Sequence, residues 1–404
     1  MLNLQNIKNA SKKLSKVAHK TPLAYAPILS EEVGHKVYLK KDNLQITGSF
    51  KLRGAFNKIA NLIEQNNTLK GVVAASAGNH AQGVALSAAH FKIDAIIFMP
   101  ESTPLNKVQG VESYGAKVVL KGANYDEAYE WAIKYAKENN LEFVHPFADE
   151  DVMAGQGTIA LEILEEIDSL DAIIVPVGGG GLISGVATAI KELNPNIKVY
   201  GVAAAGAPAM YKSYKSGEVV NTNKVRTIAD GIAVKNTSEV TLNYIRRLVD
   251  DMVLVCDDEI ASGILFLLEK QKLLVEGAGA VGVGALLHNK LELEPNSNIC
   301  VVLSGGNIDV TMLNLIIEKG LVKSYRKMKL VVTLVDKPGA LEEFSSLMRK
   351  TQANIVQIGY DRTSTDLDFG DAHVSVALET KGKEHQDEIR AILKEYGYIF
   401  KELH

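Results

Sequence analysis

The chain has 404 residues, more than one ordinary hydrophobic core accommodates, which predicts two or three domains. Its formal net charge of -4, with no basic run in the sequence, argues against nucleic acid or an anionic membrane surface as a partner. No apolar run has the length of a membrane span, the N-terminal stretch lacks the apolar core of a signal peptide, and the spacing of Cys and His predicts no metal site.

Cysteine usage bears on the location of the protein. Cys256 and Cys300 stand far apart in apolar, strand-like runs. We therefore predict two reduced core thiols, which suits a cytoplasmic location.

In chain order, the predicted elements begin with an amphipathic helix that ends before Thr21-Pro22. Apolar runs typical of strands then alternate with helical patterns to about residue 325. The predicted strands are GVVAAS, DAIIFMP, AKVVLKG, DAIIVPV, KVYGVAA and NICVVLS. Because these runs have no polar face, they predict an α/β body of parallel sheets covered by helices.

The pattern changes after about residue 325. Strands are predicted at KLVVTLV, NIVQIGYD, DAHVSVALET and YIFKEL, and helices in DKPGALEEFSSLMRKTQ and GKEHQDEIRAILKEYG. The resulting order is βαββαβ, a small α+β unit. We therefore predict one domain over residues 1–325 and a second over residues 326–404.

Four consecutive glycines, Gly178–Gly181, follow one predicted strand and open a helix. Such a turn exposes backbone N–H groups to an anion, and the helix dipole adds to the attraction. The spacing does not match the dinucleotide pattern, and Val186 stands where a P-loop has its lysine. This tetraglycine loop therefore favours a single phosphomonoester, and a tight turn without a ligand is the alternative.

Two more polar loops follow predicted strands. They are SAGNHAQG, Ser76–Gly83 (the asparagine loop), and SGGN, Ser304–Asn307 (the SGGN loop). Parallel sheets place ligands outside the carboxyl ends of their strands, so three such loops predict one shared cleft. Taken singly, each loop is better explained as a turn than as a site.

Lys51, in the segment TGSFKLRGAF, stands among small and apolar residues. A surface helix lysine is the ordinary interpretation of such a residue. A phosphate loop, a lysine in an apolar setting and no metal site together indicate pyridoxal phosphate, because a lysine with a lowered pKa can form a Schiff base with its aldehyde. The cofactor would then serve as the electron sink.

The segments SFKLRGA, SAGNHAQGVA, GGGGLISG, EGAGA and SGGN occur in this order. With them the chain resembles the fold type II pyridoxal-phosphate enzymes, and among them the threonine dehydratases, over about residues 5–320. The resemblance implies two parallel-sheet α/β subdomains, the smaller nested at about residues 46–148. The tail, with DKPGAL, resembles an ACT domain.

The resemblance also implies roles for individual residues. Lys51 matches the Schiff-base lysine that moves the α-proton, and Phe50 would flank the pyridine ring. Residues matching cofactor contacts are Asn79 for the ring hydroxyl, Gly178, Gly179, Gly180, Gly181 and Leu182 for the phosphate, and Ser304 for the ring nitrogen. Ser76, Ala77, Gly78, Asn79 and His80 form the loop that would receive the substrate carboxylate. Glu276, in EGAGA, would lie at the cofactor, and a plain helix-cap carboxylate is the alternative.

The implied reaction is deamination of L-threonine, and of L-serine, by β-elimination of water. A serine racemase, or another β-elimination enzyme of this fold, is an alternative. Ala77 argues against the racemase, because racemases of this fold carry a serine there. Alanines follow KVYGV where some relatives have a cation-binding carboxylate, so no metal is carried over. A non-catalytic amino-acid sensor is a remote alternative, against which Lys51, the tetraglycine loop and Ser304 argue.

The tail resembling an ACT domain implies an amino-acid effector and a homo-oligomer, dimer or tetramer. Its candidate effector residues are Asp336, Gly339, Ala340, Leu341 and Asn354. The turn at Pro338-Gly339 suits backbone N–H groups that hold a carboxylate, and Asn354 is expected near that turn. A plain oligomerisation module is the alternative, and nothing in the residues chooses between isoleucine and valine as effector.

Overall fold

The computed structural model describes residues 1–403 and divides into two compact units, Met1–Ile308 and Asp309–His404. The helices are α1 Leu4–Leu14, α2 Pro27–Val33, α3 Lys51–Gln65, α4 Asn79–Phe91, α5 Leu105–Glu112, α6 Tyr125–Glu138, α7 Glu150–Leu164, α8 Gly181–Leu193, α9 Ala209–Ser216, α10 Glu239–Leu248, α11 Asp257–Phe266, α12 Gly277–Leu287, α13 Val310–Lys323, α14 Ala340–Thr351 and α15 Lys383–Glu395. The strands are β1 Leu23–Tyr25, β2 Lys36–Lys40, β3 Gly71–Ala75, β4 Asp94–Met99, β5 Lys117–Leu120, β6 Glu142–Phe143, β7 Ala172–Pro176, β8 Lys198–Ala204, β9 Asp251–Val255, β10 Asn298–Val302, β11 Lys327–Val335, β12 Asn354–Asp361, β13 Asp371–Glu379 and β14 Ile399–Leu403.

The larger sheet of the first unit has the strand order β1-β2-β10-β7-β8-β9, parallel except for β1. Every residue of β7 is buried, as expected for a strand covered on both faces. Side chains from α1, α7, α8 and α10 pack into one core with this sheet. The predicted parallel arrangement is confirmed.

The smaller sheet has the order β5-β4-β3-β6 and is parallel throughout. It lies between β2 and β7 in the chain, so it interrupts the larger sheet, and it has hydrophobic clusters of its own. Strands β1, β2 and β6 were not predicted, whereas the apolar run before Cys256 indicated β9. Strands β1 and β6 lie at sheet edges, and the three are short or carry polar residues, so their hydrophobic signal is weak.

The second unit contains a four-stranded antiparallel sheet in the order β12-β13-β11-β14. Helices α14 and α15 bury Phe344 and Ile389 against it, and the predicted βαββαβ order is confirmed. The division after Ile308 also places α13 in this unit, before the predicted boundary at residue 325. The limits of the independently folding domains stay a prediction.

One cysteine differs from its prediction. Cys300 is a buried, free thiol in β10, but Cys256 is exposed and also free. Cys256 ends the apolar run of β9 and occupies the N-terminal cap of α11, where its N–H donates to Glu259 Oε2 at 2.8 Å. An apolar run leading up to a residue therefore did not predict its burial.

Two features of the described residues concern membranes and metal ions. No helix within residues 1–403 is long and apolar enough to cross a membrane. Over the same range, no group of three or more His, Cys, Asp or Glu side chains is placed to hold a metal ion.

Candidate active site

Lys51 is the first residue of α3, and contacts from the end of β10 fix the start of that helix. The Phe50 N–H donates to the Ser304 carbonyl at 3.0 Å, and Ser49 forms a backbone bridge with Gly305. The Lys51 ammonium donates to the Pro146 carbonyl at 3.0 Å. Its Nζ also lies 5.3 Å from the centre of the Phe50 ring. The structure thus brings Lys51, Phe50 and Ser304 together.

Burial changes the acidity of the groups around this lysine. Desolvation lowers the pKa of Lys51 from 10.5 to about 8, and the charge of Glu276 opposes that change. Desolvation, with the charge of Lys51 adding to it, lowers the pKa of His80 to about 3. The pKa of His145 is lowered to about 4, chiefly by burial. Both histidines are therefore neutral at pH 7, and Lys51 is the nearby cation that can release a proton in the physiological range.

The tetraglycine loop follows β7 and leads into α8, which begins at Gly181 without a side-chain cap. Gly180 has φ +90°, a conformation that favours glycine. A Cβ on Gly179 would lie 2.4 Å from the Phe147 ring, and one on Gly181 would lie 2.8 Å from the Phe147 carbonyl oxygen. Because the first N–H groups of a helix have no intrahelical acceptor, this loop presents donors that suit a phosphate.

Phe147 connects the lysine to the tetraglycine loop. It follows Pro146, the residue whose carbonyl accepts from Lys51, and its ring packs on Gly179. The N–H groups of Phe147 and Ala148 donate to His145 Nδ1 at 3.2 and 2.8 Å, which fixes the turn. Sequence analysis did not single out residues 145–148, because an HPF turn carries no chemical signature of its own.

Asn79 and Glu276 form the polar centre of the site. The Asn79 amide donates to both carboxylate oxygens of Glu276, at 2.9 and 3.0 Å. Glu276 is 8% exposed, and burial raises the pKa of its carboxyl group. It stands at the N-terminal cap position of α12 but makes no capping hydrogen bond with its side chain. The structure thus places its carboxylate toward Asn79 and not on the helix end.

The loop proposed to receive the substrate carboxylate has mixed surroundings. Gly78 N–H donates to Ser76 Oγ at 3.2 Å, and a Cβ on Gly78 would meet no atom within 4 Å, so this backbone faces open space. Ala77 packs against the core of the smaller sheet. His80 is buried, with Nε2 2.9 Å from the Val144 carbonyl oxygen. Within this loop, open space therefore lies at the backbone of Gly78, while the His80 ring is enclosed.

The residues present fit a cofactor that is polar on one side and anionic at one end. Three buried polar atoms near Lys51 find no hydrogen-bond partner among residues 1–403. Thr47 Oγ1 and Ser49 Oγ belong to residues just before Lys51 in the sequence, and His80 Nδ1 belongs to the ring whose pKa the charge of Lys51 lowers. Such unpaired atoms are costly in a folded protein unless a ligand or water satisfies them. Together with the glycine cradle and the lysine amine, they suit pyridoxal phosphate.

Two further parts of the site were not predicted. A Cβ on Gly178 would lie 2.8 Å from Ile232 Cα, and one on Gly231 would lie 2.9 Å from Glu276 Oε1. The segment 228–234 therefore lies beside both the tetraglycine loop and the start of α12, where Glu276 stands. Asn307, the last residue of the SGGN loop, donates to Asn79 Oδ1 at 2.7 Å. Only its position in the SGGN motif could have indicated it.

In the second unit, the turn after β11 has a defined structure. Gly339 has φ +89° and precedes α14, where Ala340 is buried and Leu341 is exposed. The Asp336 carboxylate accepts from the Tyr360 hydroxyl at 3.0 Å and pairs with Arg362. These contacts order the turn at the carboxyl end of β11.

The structure separates Asn354 from that turn. Asn354 is paired with Glu379, which is paired with Lys327 at the start of β11. Parallel strands of a βαβ unit begin at the same edge of a sheet, so the first residue of β12 lies at the opposite end from Asp336. The expected proximity of Asn354 to the turn does not hold within this unit.

Two parallel α/β sheets, a partly buried lysine at a helix start and a glycine loop for phosphate define a pyridoxal-phosphate enzyme of fold type II. The chain belongs to the family of pyridoxal-phosphate dependent enzymes, whose model matches residues 14–305. Its cofactor is therefore pyridoxal phosphate, which confirms the prediction.

Three known proteins show which activities occur among the relatives of this chain. The chain is 48% identical over 398 residues to the L-threonine ammonia-lyase of Thermotoga maritima, covering 98% of both chains. It is 39% identical to the processed form of threonine deaminase isoform 2 from Solanum lycopersicum, with a TM-score of 0.74 over 78% of this chain and 86% of that one. It is 34% identical to maize serine racemase, also with a TM-score of 0.74, over 80% and 99%.

Proposed function

We propose that this chain is a threonine ammonia-lyase, which eliminates the β-hydroxyl of L-threonine as water. Hydrolysis of the resulting enamine takes up one water and gives 2-oxobutanoate and ammonia, and L-serine likewise gives pyruvate and ammonia. The observation that carries the proposal is the Lys51 amine, desolvated at the start of α3 and linked through Pro146 and Phe147 to the tetraglycine loop. The extent of the likeness to the Thermotoga maritima enzyme, which includes the second unit, supports the substrate.

Residues of this chain would hold the cofactor at each end. We assign Lys51 to the aldehyde, the N–H groups of Gly178–Gly181 and Leu182 to the phosphate, and Asn79 to the ring hydroxyl. Phe50 would flank the ring, Ser304 would meet the ring nitrogen, and Glu276 would support Asn79. When bound, pyridoxal phosphate supplies the electron sink for the carbanion at the substrate α-carbon.

Lys51 acts as the base. With a pKa of about 8, an appreciable fraction of its amine is neutral at physiological pH, and the amine can take the α-proton of the substrate. Its Nζ is already anchored at the Pro146 carbonyl, which limits the directions it can face. The backbone N–H groups of the asparagine loop, open at Gly78, would bind the substrate carboxylate.

Ser304 bears on the outcome of the reaction. It is 2% exposed and offers a hydroxyl, which does not hold a proton on the ring nitrogen as a carboxylate would. A weaker electron sink favours prompt loss of the β-hydroxyl over transamination.

Serine racemase is the second candidate, because the maize enzyme shares the fold over 80% of this chain. Racemisation needs an acid or base on each face of the α-carbon. Ala77, which stands where racemases of this fold have a serine, offers neither and packs against the smaller sheet. The deamination proposal is therefore preferred.

We also propose that the second unit is an ACT-like regulatory domain of a cytoplasmic homo-oligomer, with an amino-acid effector at the turn Asp336–Leu341. The antiparallel βαββαβ unit and the ordered turn support this assignment. If the effector regulates, it must bind the active and inactive states with different affinities.

The function is tested by assaying the purified protein with L-threonine and L-serine and measuring 2-oxo acid and ammonia. We expect 2-oxobutanoate from L-threonine, lost in Lys51→Ala but retained in Lys16→Ala, which removes an exposed lysine. D-serine as the main product from L-serine would instead establish the racemase.

A further inference from the structure

Asn307 stands at the rim of the site and touches the residue assigned to the ring hydroxyl. Its Nδ2 lies 2.7 Å from Asn79 Oδ1 and 2.8 Å from the Thr47 carbonyl oxygen, with Gln82 Oε1 farther away at 3.4 Å. We propose that Asn307 is a positioning residue that fixes which end of the Asn79 side-chain amide faces the cofactor. This inference deepens the proposed function, since it rests on Asn79 as the cofactor contact.

The orientation of Asn307 itself is set by the backbone. A carbonyl oxygen only accepts hydrogen bonds, so the Thr47 carbonyl selects the NH2 end of the Asn307 amide. That NH2 group has two hydrogens, one for Thr47 and one for Asn79 Oδ1. The Thr47 carbonyl, which can only accept, therefore sets the orientation of the Asn307 amide and through it that of the Asn79 amide.

The loop is built to hold Asn307 in this place. A Cβ on Gly48 would lie 2.3 Å from Asn307 Oδ1, and Gly48 has φ +70°. The Gly306 N–H also donates to the Gly48 carbonyl at 2.8 Å. Because Gly48 carries no side chain, the Asn307 amide packs directly against the backbone three residues before Lys51.

The consequence falls on Asn79. With Oδ1 held by Asn307, the amide turns Nδ2 toward Glu276, at 2.9 and 3.0 Å. One Nδ2 hydrogen serves the carboxylate and the second is available to the cofactor. Glu276 alone secures this orientation less firmly, because burial raises its pKa and a carboxyl group that takes up a proton can also donate to Asn79 Oδ1. Asn307 removes that ambiguity.

Asn307→Asp tests the inference with little change of shape. The aspartate has no N–H donor, so it faces Thr47 and Asn79 with oxygens and favours the reversed Asn79 amide. We expect pyridoxal phosphate to bind about tenfold more weakly. We also expect the absorbance maximum of the bound cofactor to shift, because the ring hydroxyl loses its donor. Asn9→Asp, which adds the same charge on α1, should change neither quantity.

Two companion variants separate positioning from a general structural role. Asn307→Ala removes the contact without adding a charge and should shift the spectrum in the same direction by less. In an Asn79→Ala background, Asn307→Asp should cause no further loss of cofactor affinity, because its effect passes through Asn79.

The inference is overturned if Asn307→Asp binds and absorbs like the wild type, or if it costs a further tenfold in the Asn79→Ala background. Both measurements use the protein with cofactor and without substrate. They therefore stand even if the chain proves not to deaminate threonine, and a failure here leaves the threonine assay unaffected.

Discussion

Lys51 and Arg53 are two residues apart on the first turn of α3. Lys51 is partly buried and Arg53 is fully buried, and their charged groups have opposite surroundings. Lys51 donates to a backbone carbonyl, and burial lowers its pKa to about 8. Burial also disfavours the charge of Arg53, but Asp42 and Glu162 outweigh it and raise its pKa. The Arg53 guanidinium donates two hydrogen bonds to Asp42, at 2.8 and 2.9 Å, and two more to Glu162.

The difference shows how one helix turn carries both a base and a structural cation. Arg53 is fully buried. Of the two carboxylates that it binds, Glu162 also pairs with Lys40, and Asp42 also accepts from the Thr21 hydroxyl. Two positive and two negative charges therefore balance in this cluster. Among residues 1–403, no carboxylate is recorded in a hydrogen bond or ion pair with Lys51, and the negative charge that raises its pKa is that of Glu276. Burial makes a usable base of a lysine only where counter-charges are kept away.

The largest expected effect comes from replacing Lys51 by arginine. Lys51→Arg keeps the charge but cannot release its proton or bond to the aldehyde. Because general base catalysis alone contributes about 10²–10⁴-fold, we expect 2-oxobutanoate formation to fall by at least that factor. The reciprocal variant Arg53→Lys should retain measurable activity. Equal losses in the two variants would contradict the division of roles.

Removing Arg53 should instead act on folding. Arg53→Met leaves the buried Asp42 and the half-buried Glu162 with one cation, Lys40, so we expect the free energy of unfolding to fall by about 3–5 kcal/mol in denaturant titrations. Arg226→Met, an exposed arginine of the same unit, should change it by less than about 0.5 kcal/mol. An unchanged midpoint for Arg53→Met would show that the network does not support the fold.

The lowered pKa of Lys51 predicts a pH dependence of stability in the cofactor-free protein. Between about pH 8 and 10.5 the unfolded chain keeps a proton on Lys51 that the folded chain has released. The free energy of unfolding should therefore rise with pH through this window relative to Lys51→Met, by at most about 3 kcal/mol. Parallel stability curves for the two proteins would indicate that Lys51 titrates normally.

The smallest expected effect concerns Glu276. Its charge raises the pKa of Lys51 against the larger effect of burial, so Glu276→Gln should lower that pKa further. The rate at which the cofactor-free protein takes up pyridoxal phosphate depends on the neutral amine, and its midpoint should move from near pH 8 to lower pH. A midpoint that stays near pH 8 would mean that Glu276 is neutral in the site.

Much of the fold could be predicted because its signals are local. The apolar runs within β4 and β7 indicate buried parallel strands without knowledge of their neighbours. The weak strands β1 and β6 had no such signal, since their pairing partners supply their stability. The residues of the site likewise divide into those with a local sequence signal and those without one. Lys51 and the tetraglycine loop are visible as motifs, whereas Phe147 and Asn307 act through contacts with residues far away in the chain.

The order of residues by itself indicated the cofactor through the glycine run and a lysine among small residues, and two units through the change in strand and helix pattern. It indicated the family through the resemblance of five short motifs, because all these signals are properties of short segments. Only the tertiary structure decided that Lys51 is kept from carboxylates while Arg53 receives two, that Glu276 turns to Asn79, and that Asn354 lies away from Asp336. Acidity and hydrogen-bond direction depend on which distant groups come within a few ångströms, and the folded chain alone sets those distances.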